Sequence, residues 1–166
     1  MLFESLNKSH ADQLLAFEME NRAFFESVIA PREEVFYSPT GALEHIENLL
    51  HLNSQSLAYP YVLVQNGSII ARANIKEMQS DDVAEIGYRV GKTHVGKGVG
   101  SLCVAHLVNA GINLGLKQLS AFVINNNPAS EKVLLKNGFR LNLYIPNGFV
   151  HLGRLCHGFN YRRELA

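Results

Sequence analysis

The sequence lacks several features that mark whole classes of protein. It has no tryptophan and only two cysteines, Cys103 and Cys156, whose wide separation matches no metal-ligand spacing. No apolar run approaches the roughly 20 residues that span a bilayer, and the first residues show no secretory signal. We therefore expect a cytoplasmic protein that has neither a structural zinc site nor a membrane span.

Net charge is also absent. The 15 lysines and arginines balance the 15 aspartates and glutamates, so the formal net charge is zero. A neutral chain argues against direct binding of nucleic acid or of an acidic membrane surface. The length of 166 residues and the hydrophobic content of 47% are typical of one globular unit. We interpret residues 1–166 as a single domain.

The histidines do not form a recognisable metal motif. His45 and His51 are six residues apart, as are His151 and His157, whereas two ligands on one helix face are usually four apart. We interpret them as solvated or hydrogen-bonded structural histidines and expect no metal.

Hydrophobic periodicity predicts an α/β chain that begins with an edge strand at 2–6. Ser9, with Asp12 three residues later, is predicted to cap the first helix, and Pro39 to begin the second. The segment 21–38 between them is predicted to be irregular. Later strands are predicted at 61–64, 68–75, 83–90, 119–124, 139–144 and 149–157, and helices at 99–114 and 128–137. This order predicts one sheet with helices on both faces.

A glycine-rich segment, Val95-Gly96-Lys97-Gly98-Val99-Gly100-Ser101, separates a predicted strand from a predicted helix. The free N–H groups of a helix start and the helix dipole together favour an anion. The segment is not a Walker loop, and it differs from a dinucleotide fingerprint in spacing and in lacking the later acidic residue. It is interpreted as an anion cradle, with a flexible loop as the alternative.

Residues 95–100 resemble the [QR]xxGx[GA] signature of the GNAT N-acetyltransferase superfamily, except that Val95 stands where the family prefers Gln or Arg. Asn127-Pro128-Ala129-Ser130, followed by Lys136-Asn137-Gly138-Phe139, is similar to the NxxS…GF element of the ribosomal-protein-alanine N-acetyltransferase branch. Asn21-Arg22, Pro31-Arg32 and Glu85-Ile86-Gly87-Tyr88 are similar to the same branch, whereas the last hairpin departs from it. The resemblance implies the GNAT fold, a mixed and mostly antiparallel sheet splayed between its fourth and fifth strands.

The resemblance also implies a reaction. An amine attacks the thioester of acetyl-CoA directly, without an acyl-enzyme and without a metal. The expected acceptor is a protein N-terminus of the ribosomal-protein-alanine type. The alternatives are a small amine such as a polyamine, an amino acid or an antibiotic, and a CoA-binding module without catalysis. A nucleotide-binding regulator of another family is a further rival. The expected assembly is a monomer or a homodimer.

The resemblance assigns roles to individual residues. Glu85 is the expected general base, and its alternative is a structural carboxylate paired with Arg89 or Arg72. Ser130 is the expected acid at the departing sulfur, or else an ordinary residue of a helix start, and Tyr144 is the second candidate acid. The expected coenzyme-binding residues are Tyr88, Arg89, Val90, Val95, Gly96, Lys97, Gly98, Val99, Gly100, Ser101, Asn127 and Ser130.

Two expectations carry alternatives of their own. Lys97 either contacts the coenzyme pyrophosphate or is a solvated loop lysine. The resemblance places the acceptor pocket between the segment 21–38 and the last hairpin. Of the aromatic residues Phe24, Phe25, Phe36 and Tyr37 in that segment, at least half are expected to lie in the core.

Overall fold

The chain forms a seven-stranded sheet covered by helices on both faces. The computed structural model describes residues 1–80, 82–124 and 127–165. The strands are β1 (Leu2–Ser5), β2 (Tyr59–Gln65), β3 (Ser68–Ser80), β4 (Val83–Val90), β5 (Gln118–Ile124), β6 (Arg140–His151) and β7 (Arg154–Glu164). The helices are α1 (Ala11–Glu20), α2 (Arg22–Glu26), α3 (Pro39–Ser54), α4 (Val99–Asn113) and α5 (Pro128–Lys136).

The strand order is β1-β2-β3-β4-β5-β7-β6. Neighbouring strands are antiparallel except β4 and β5, which are parallel and are connected through α4. A parallel pair needs such a crossover, because a tight turn cannot join two strands that run in the same direction. The predicted mixed, mostly antiparallel sheet with helices on both faces is confirmed.

Each face of the sheet has its own apolar core. On one face, α4 and α5 pack on the sheet, with Cys103, Leu107 and Leu134 fully buried. On the other face, α1 and α3 bury Leu14 and Ile46. Cys103 is therefore a packing residue of this core. Within the described residues, no helix is long and apolar enough to cross a membrane.

Two predictions about the first helices are wrong. Helix α1 follows His10, and its start lacks the predicted Ser9–Asp12 cap. Instead, Asn7 Oδ1 accepts from the N–H of Ser9 at 2.9 Å and the N–H of Asn7 donates to His10 Nδ1 at 3.1 Å, which caps the preceding turn. The segment 21–38 is not wholly irregular, since it contains α2 and a 3-10 turn at Glu34–Phe36.

The final hairpin also differs from its prediction. The turn lies at Leu152-Gly153, with φ values of 51° and 74°, rather than between 144 and 149. Asn147, at φ 50°, lies within β6, where the pairing register shifts between Ile145 and Phe149. Asn-Gly supplies the same positive φ to a bulge as to a turn, and leucine seldom marks a turn, so the sequence pattern misplaces this hairpin.

Candidate active site

The sheet opens between β4 and β5. Their parallel pairing runs from Val83↔Gln118 to Ile86↔Ala121 and ends there, within the described residues. Strand β4 continues to Val90, while β5 continues to Ile124 and stays paired with β7. The edge of β4 that faces β5 is therefore free of strand pairing over Gly87–Val90. An extended ligand with amide groups could pair with this edge.

The glycine segment lies immediately after this open end and forms the start of α4. Val95 is extended, and Gly98 precedes the helix in the left-handed region at φ 82°. Within the described chain, no side chain caps this helix start. The N–H groups of its first turn are left without intrahelical acceptors, which is the arrangement that binds phosphate groups. Lys97 is exposed beside them.

Gly100 has a packing role that the sequence did not indicate. A Cβ on Gly100 would lie 3.3 Å from Val133 Cγ2 and 3.4 Å from Tyr88 Cε2. The glycine thus lets α4 approach both α5 and β4 closely. By contrast, Cβ atoms on Gly96 and Gly98 would meet nothing within 4 Å, so those positions face open space.

A pair of hydroxyl groups lies next to the open edge. The hydroxyl oxygens of Tyr88 and Ser130 are 2.9 Å apart. Asn127 caps α5 by accepting from the N–H of Ser130 at 3.3 Å. Burial raises the pKa of Tyr88 to about 12, so its hydroxyl is protonated at neutral pH. The structure thereby brings β4, the start of α4 and the start of α5 together.

A further contact fastens this arrangement. Asn137, just after α5, donates from Nδ2 to Ser101 Oγ at 3.0 Å. Ser101 lies in the first turn of α4, so the end of α5 is tied to the cradle. Of the sequence-predicted residues, Tyr88, Gly100, Ser101, Asn127 and Ser130 therefore lie in one connected region. The sequence did not predict the Tyr88–Ser130 contact, although strand alternation places Tyr88 on the same face of β4 as Ile86 and Val90.

Glu85 projects from the opposite face of β4. It shares that face with Gly87 and Arg89, as strand alternation predicts. Its Oε1 lies 3.3 Å from Lys76 Nζ, and the Glu85 side chain is 18% exposed. The expected alternative partners, Arg72 and Arg89, instead contact Glu18. Glu85 is thus paired but accessible, just below the open end of the strand.

Tyr144 lies apart from these residues. It is on β6, and β5 and β7 separate that strand from β4. The Tyr144 ring is 47% exposed and lies 5.2 Å from the ring of Phe159 and 5.4 Å from that of His157, measured between centroids. The structure does not bring Tyr144 to the Tyr88–Ser130 pair.

A buried cluster of charged residues, which we call the Glu18 cluster, lies on the face of β4 to which Arg89 points. Glu18 accepts from Arg72 at 2.7 Å, from Arg89 at 3.0 Å and from Arg32 at 3.1 Å. Burial alone would raise the pKa of Glu18, but the three guanidinium groups outweigh it and lower the pKa to about 2. His45 Nε2 lies 2.8 Å from Arg72 Nη2, and burial lowers the pKa of His45 to about 3, so the ring accepts as a neutral group.

Two groups of aromatic residues lie in the segment 21–38 and on β5 and β6. One holds Phe25 and Phe36, which are buried and have Arg89 and Arg32 over their rings. The other holds Phe122 and Phe149, with ring centroids 4.8 Å apart. Phe24 and Tyr37 are half-buried. Two of the four aromatic residues of the segment 21–38, Phe25 and Phe36, therefore lie in the core, as expected.

Metal ligands are not grouped in the described residues, where no three His, Cys, Asp or Glu side chains come together. His45 and His157 both take part in hydrogen bonds, as structural histidines do. A cavity of about 880 Å³ lies at the start of β6 and the end of β7, away from the open edge.

Comparison with known proteins identifies the family. The profile of the acetyltransferase (GNAT) domain matches residues 1–140. The chain belongs to the GNAT acetyltransferase family. Its members transfer acetyl groups, and the resemblance predicted from residues 95–100 and 127–139 is confirmed. No curated protein sequence matches the chain significantly.

Solved structures of the family share the fold of this acetyltransferase. The ribosomal-protein-S5-alanine acetyltransferase from Vibrio fischeri aligns with a TM-score of 0.91 at 20% identity, covering 98% of this chain and 91% of that one. RimL, the ribosomal L7/L12 α-N-protein acetyltransferase in complex with coenzyme A, gives 0.89 at 18% identity, with 98% and 93% covered. The microcin C7 self-immunity acetyltransferase MccE, with acetyl-CoA and AMP, gives 0.86 at 19%, with 98% and 91% covered.

Proposed function

We propose that this acetyltransferase uses acetyl-CoA to acetylate the N-terminal amine of a protein. The observation that carries the proposal is the junction of the open β4 edge, the uncapped start of α4 and the Tyr88–Ser130 pair. Two similar structures, at 20% and 18% identity, are acetyltransferases of ribosomal proteins, which supports a protein acceptor.

The residues present fit coenzyme A. Its pyrophosphate needs backbone donors and positive potential, which the first turn of α4 and Lys97 supply. Its pantetheine arm carries amides that match the free edge of Gly87–Val90, where the pairing to β5 has ended. Val95 offers no polar group where the family prefers Gln or Arg, so affinity for the coenzyme rests on the backbone. Asn127 and Ser130 offer polar groups at the start of α5.

The proposed mechanism uses both faces of β4. Bound acetyl-CoA supplies an activated acetyl thioester. Glu85 takes a proton from the acceptor ammonium, leaving a neutral amine that can form the C–N bond. On the other face, Ser130 donates its hydroxyl proton to the departing sulfur as the C–S bond breaks, and Tyr88 orients that hydroxyl through the 2.9 Å contact. The nitrogen loses its extra proton as it becomes an amide, and water carries a proton back to Ser130. Holding amine and thioester together supplies several kcal/mol of the barrier, about 7–11 in favourable cases.

A ligand panel tests the coenzyme. A ligand present at about 100 times its Kd stabilises a folded protein by about 2.7 kcal/mol. For a chain of this size, that is a rise in Tm of about 5–10 °C. We expect this rise with acetyl-CoA and with CoA, and no rise with ATP or NAD. Stabilisation by ATP or NAD but not by CoA would contradict the proposal and support a nucleotide-binding regulator.

An acceptor panel tests the reaction. Thiol release is measured with acetyl-CoA and, in turn, N-terminal peptides, polyamines, amino acids and aminoglycosides. We expect the highest kcat/KM with the peptides. Preferential turnover of a small amine would change the proposed acceptor from a protein N-terminus to a small amine, and the proposed acetyl transfer would stand. Binding of acetyl-CoA without thiol release from any amine would indicate a binding module without catalysis.

A further inference from the structure

The Glu18 cluster contains more positive than negative charge. A single carboxylate faces three guanidinium groups, those of Arg32, Arg72 and Arg89. The other titratable groups packed against them, His45 and Tyr37, add no negative charge. Burial lowers the pKa of His45 and raises that of Tyr37, so both are neutral near pH 7. The cluster therefore holds a formal charge of about +2 in a partly dry site, where such an excess is costly.

The three arginines around Glu18 differ in exposure. Arg72 is fully buried and joins Glu18 to His45. Arg32 and Arg89 are each 20% exposed, although both also contact Glu18. The contacts of Arg89 with Glu18 involve only one terminal nitrogen, Nη1. Within the described residues, Arg89 Nη2 and Arg32 Nη1 make no hydrogen bond, so these nitrogens are available donors on the face of the sheet where the acceptor is expected.

The same face carries groups suited to an amine. Asn74 lies opposite Gly87 in the β3–β4 register, and Lys76 lies opposite Glu85. Directly opposed residues of antiparallel strands point to the same side. Asn74 Oδ1 is buried and has no hydrogen-bond partner in the described part of the chain. An unpaired buried acceptor is costly and is satisfied by a ligand N–H. Asn74 Oδ1 and the Glu85 carboxylate are the two groups on this face that could accept from an amine.

These acceptor groups and the arginine donors are separated along β4. Along the strand, Gly87 and Arg89 are about 7 Å apart and Glu85 and Arg89 about 13 Å apart, at a rise of about 3.3 Å per residue. In an extended peptide, a carboxylate on the second or third side chain lies within this range from the terminal amine. The α-carboxylate of a free amino acid lies much closer to its own amine, so the spacing favours the peptide.

We propose that the preferred acceptor is a protein N-terminus with an acidic side chain at its second or third residue. Its amine contacts Asn74 and Glu85, and its carboxylate binds the exposed nitrogens of Arg89 and Arg32. This inference rests on the proposed function and adds a requirement on the acceptor. Arg89, Arg32 and Asn74 become specificity residues.

Matched peptides test the inference. The amidated pentapeptides Ala-Glu-Val-Thr-Phe and Ala-Gln-Val-Thr-Phe differ only in the charge of the second side chain. A charge-assisted hydrogen bond in a partly buried site predicts a kcat/KM about 10- to 100-fold higher for the Glu peptide. The ratio falls as salt is raised. Glutamate and O-phosphoethanolamine are included as small anionic amines, and we expect slower turnover of both.

Variants connect the preference to the arginines. Arg89→Gln lowers kcat/KM for the Glu peptide to the level of the Gln peptide. Arg32→Gln, on the loop before Glu34–Phe36, gives a second measurement if Arg89→Gln fails to fold. Arg22→Gln is the matched control, because Arg22 is already paired with Glu26 and Glu34 and its loss leaves the ratio intact.

The outcomes separate the inference from the proposed function. Equal turnover of the two peptides by the wild-type protein overturns the inference and leaves the N-terminal acetyltransferase standing. Faster turnover of glutamate or O-phosphoethanolamine than of both peptides also overturns it. A ratio that survives both Arg89→Gln and Arg32→Gln overturns the assignment to the Glu18 cluster. Failure to acetylate any amine, with acetyl-CoA bound, overturns the proposed function instead.

Discussion

Replacing Glu85 by glutamine separates a general base from a structural carboxylate. Glutamine keeps the size and the hydrogen-bonding capacity of the side chain but removes its basicity. The Lys76–Glu85 pair that it breaks is 3.3 Å long, with side chains 44% and 18% exposed. A pair so exposed contributes only about 0–1 kcal/mol to stability. Because general-base catalysis contributes about 10²–10⁴-fold, we expect kcat to fall by that factor with Tm almost unchanged.

The pH dependence of the Glu85→Gln protein also reports the acceptor. A terminal α-amine has a pKa of about 8, so about a tenth is neutral at pH 7, whereas an alkyl amine at about 10.4 is less than 0.1% neutral. Without a base, only the neutral fraction reacts. With a peptide N-terminus, the rate should rise to a plateau above about pH 8. With a polyamine, it should keep rising beyond pH 10.

The assay is thiol release at saturating acetyl-CoA from pH 6 to 11, and Lys76→Gln is the matched control. If Glu85 only pairs with Lys76, both substitutions lower the rate equally and slightly. If Glu85 is the base, only Glu85→Gln loses activity at pH 7 and recovers it at high pH. A folded Glu85→Gln protein that binds acetyl-CoA and has the wild-type rate at pH 7 would refute the base assignment and leave deprotonation to solvent.

Other substitutions test the remaining parts of the site. Gly98→Val puts a side chain at φ 82° beside the cradle, so the KM for acetyl-CoA should rise much more than that for the amine in steady-state kinetics. Ser130→Ala should lower kcat about tenfold without weakening the binding of acetyl-CoA, which is measured by thermal shift. Weaker binding at an unchanged kcat would instead make Ser130 a positioning residue. Glu18→Gln should cost about 3–5 kcal/mol in urea unfolding at pH 7, because it leaves buried arginines unpaired. Since the pKa of Glu18 is lowered from 4.5 to about 2, its contribution to the free energy of unfolding is present above pH 4.5 and disappears as the pH falls toward 2. The Glu18→Gln protein should not show this loss of stability.

Local signals allowed the elements of the candidate coenzyme site to be predicted from the sequence. Gly98 sits at a positive φ before a helix, and Asn127 caps the next helix, so both depend on the nearest few residues. The strand 83–90 is predicted with its observed bounds because its side chains alternate and a glycine follows it. In the final hairpin the local signal is ambiguous. Asn147-Gly148 fits a turn equally well, and the structure uses it within a strand.

The Glu18 cluster could not be predicted in this way. Glu18 and Arg89 are 71 residues apart, and Arg72 comes from a third element. Each of these residues taken alone is a charged side chain in an amphipathic segment, which sequence reading assigns to solvent. Only the stacking of α1 on the sheet brings them together. The Tyr88–Ser130 contact spans 42 residues and is hidden for the same reason.

The alternation of β4 explains how one strand serves two kinds of chemistry. Successive side chains of a strand point to opposite faces, so Tyr88 faces α4 and α5 while Gly87 and Arg89 face α1 and α3. If pairing to β5 continued past Ile86, the second strand would fill the gap between these faces, and groups on one side could not reach a ligand on the other. Because that pairing ends early, the edge of β4 is open to both faces of the sheet. An acceptor on the Glu85 face can then meet a thioester that Ser130 contacts from the other face. In the proposed reaction, the two proton transfers therefore occur on opposite faces of one strand. The gap in the sheet lets one serve the C–N bond that forms and the other the C–S bond that breaks, at the same carbonyl carbon.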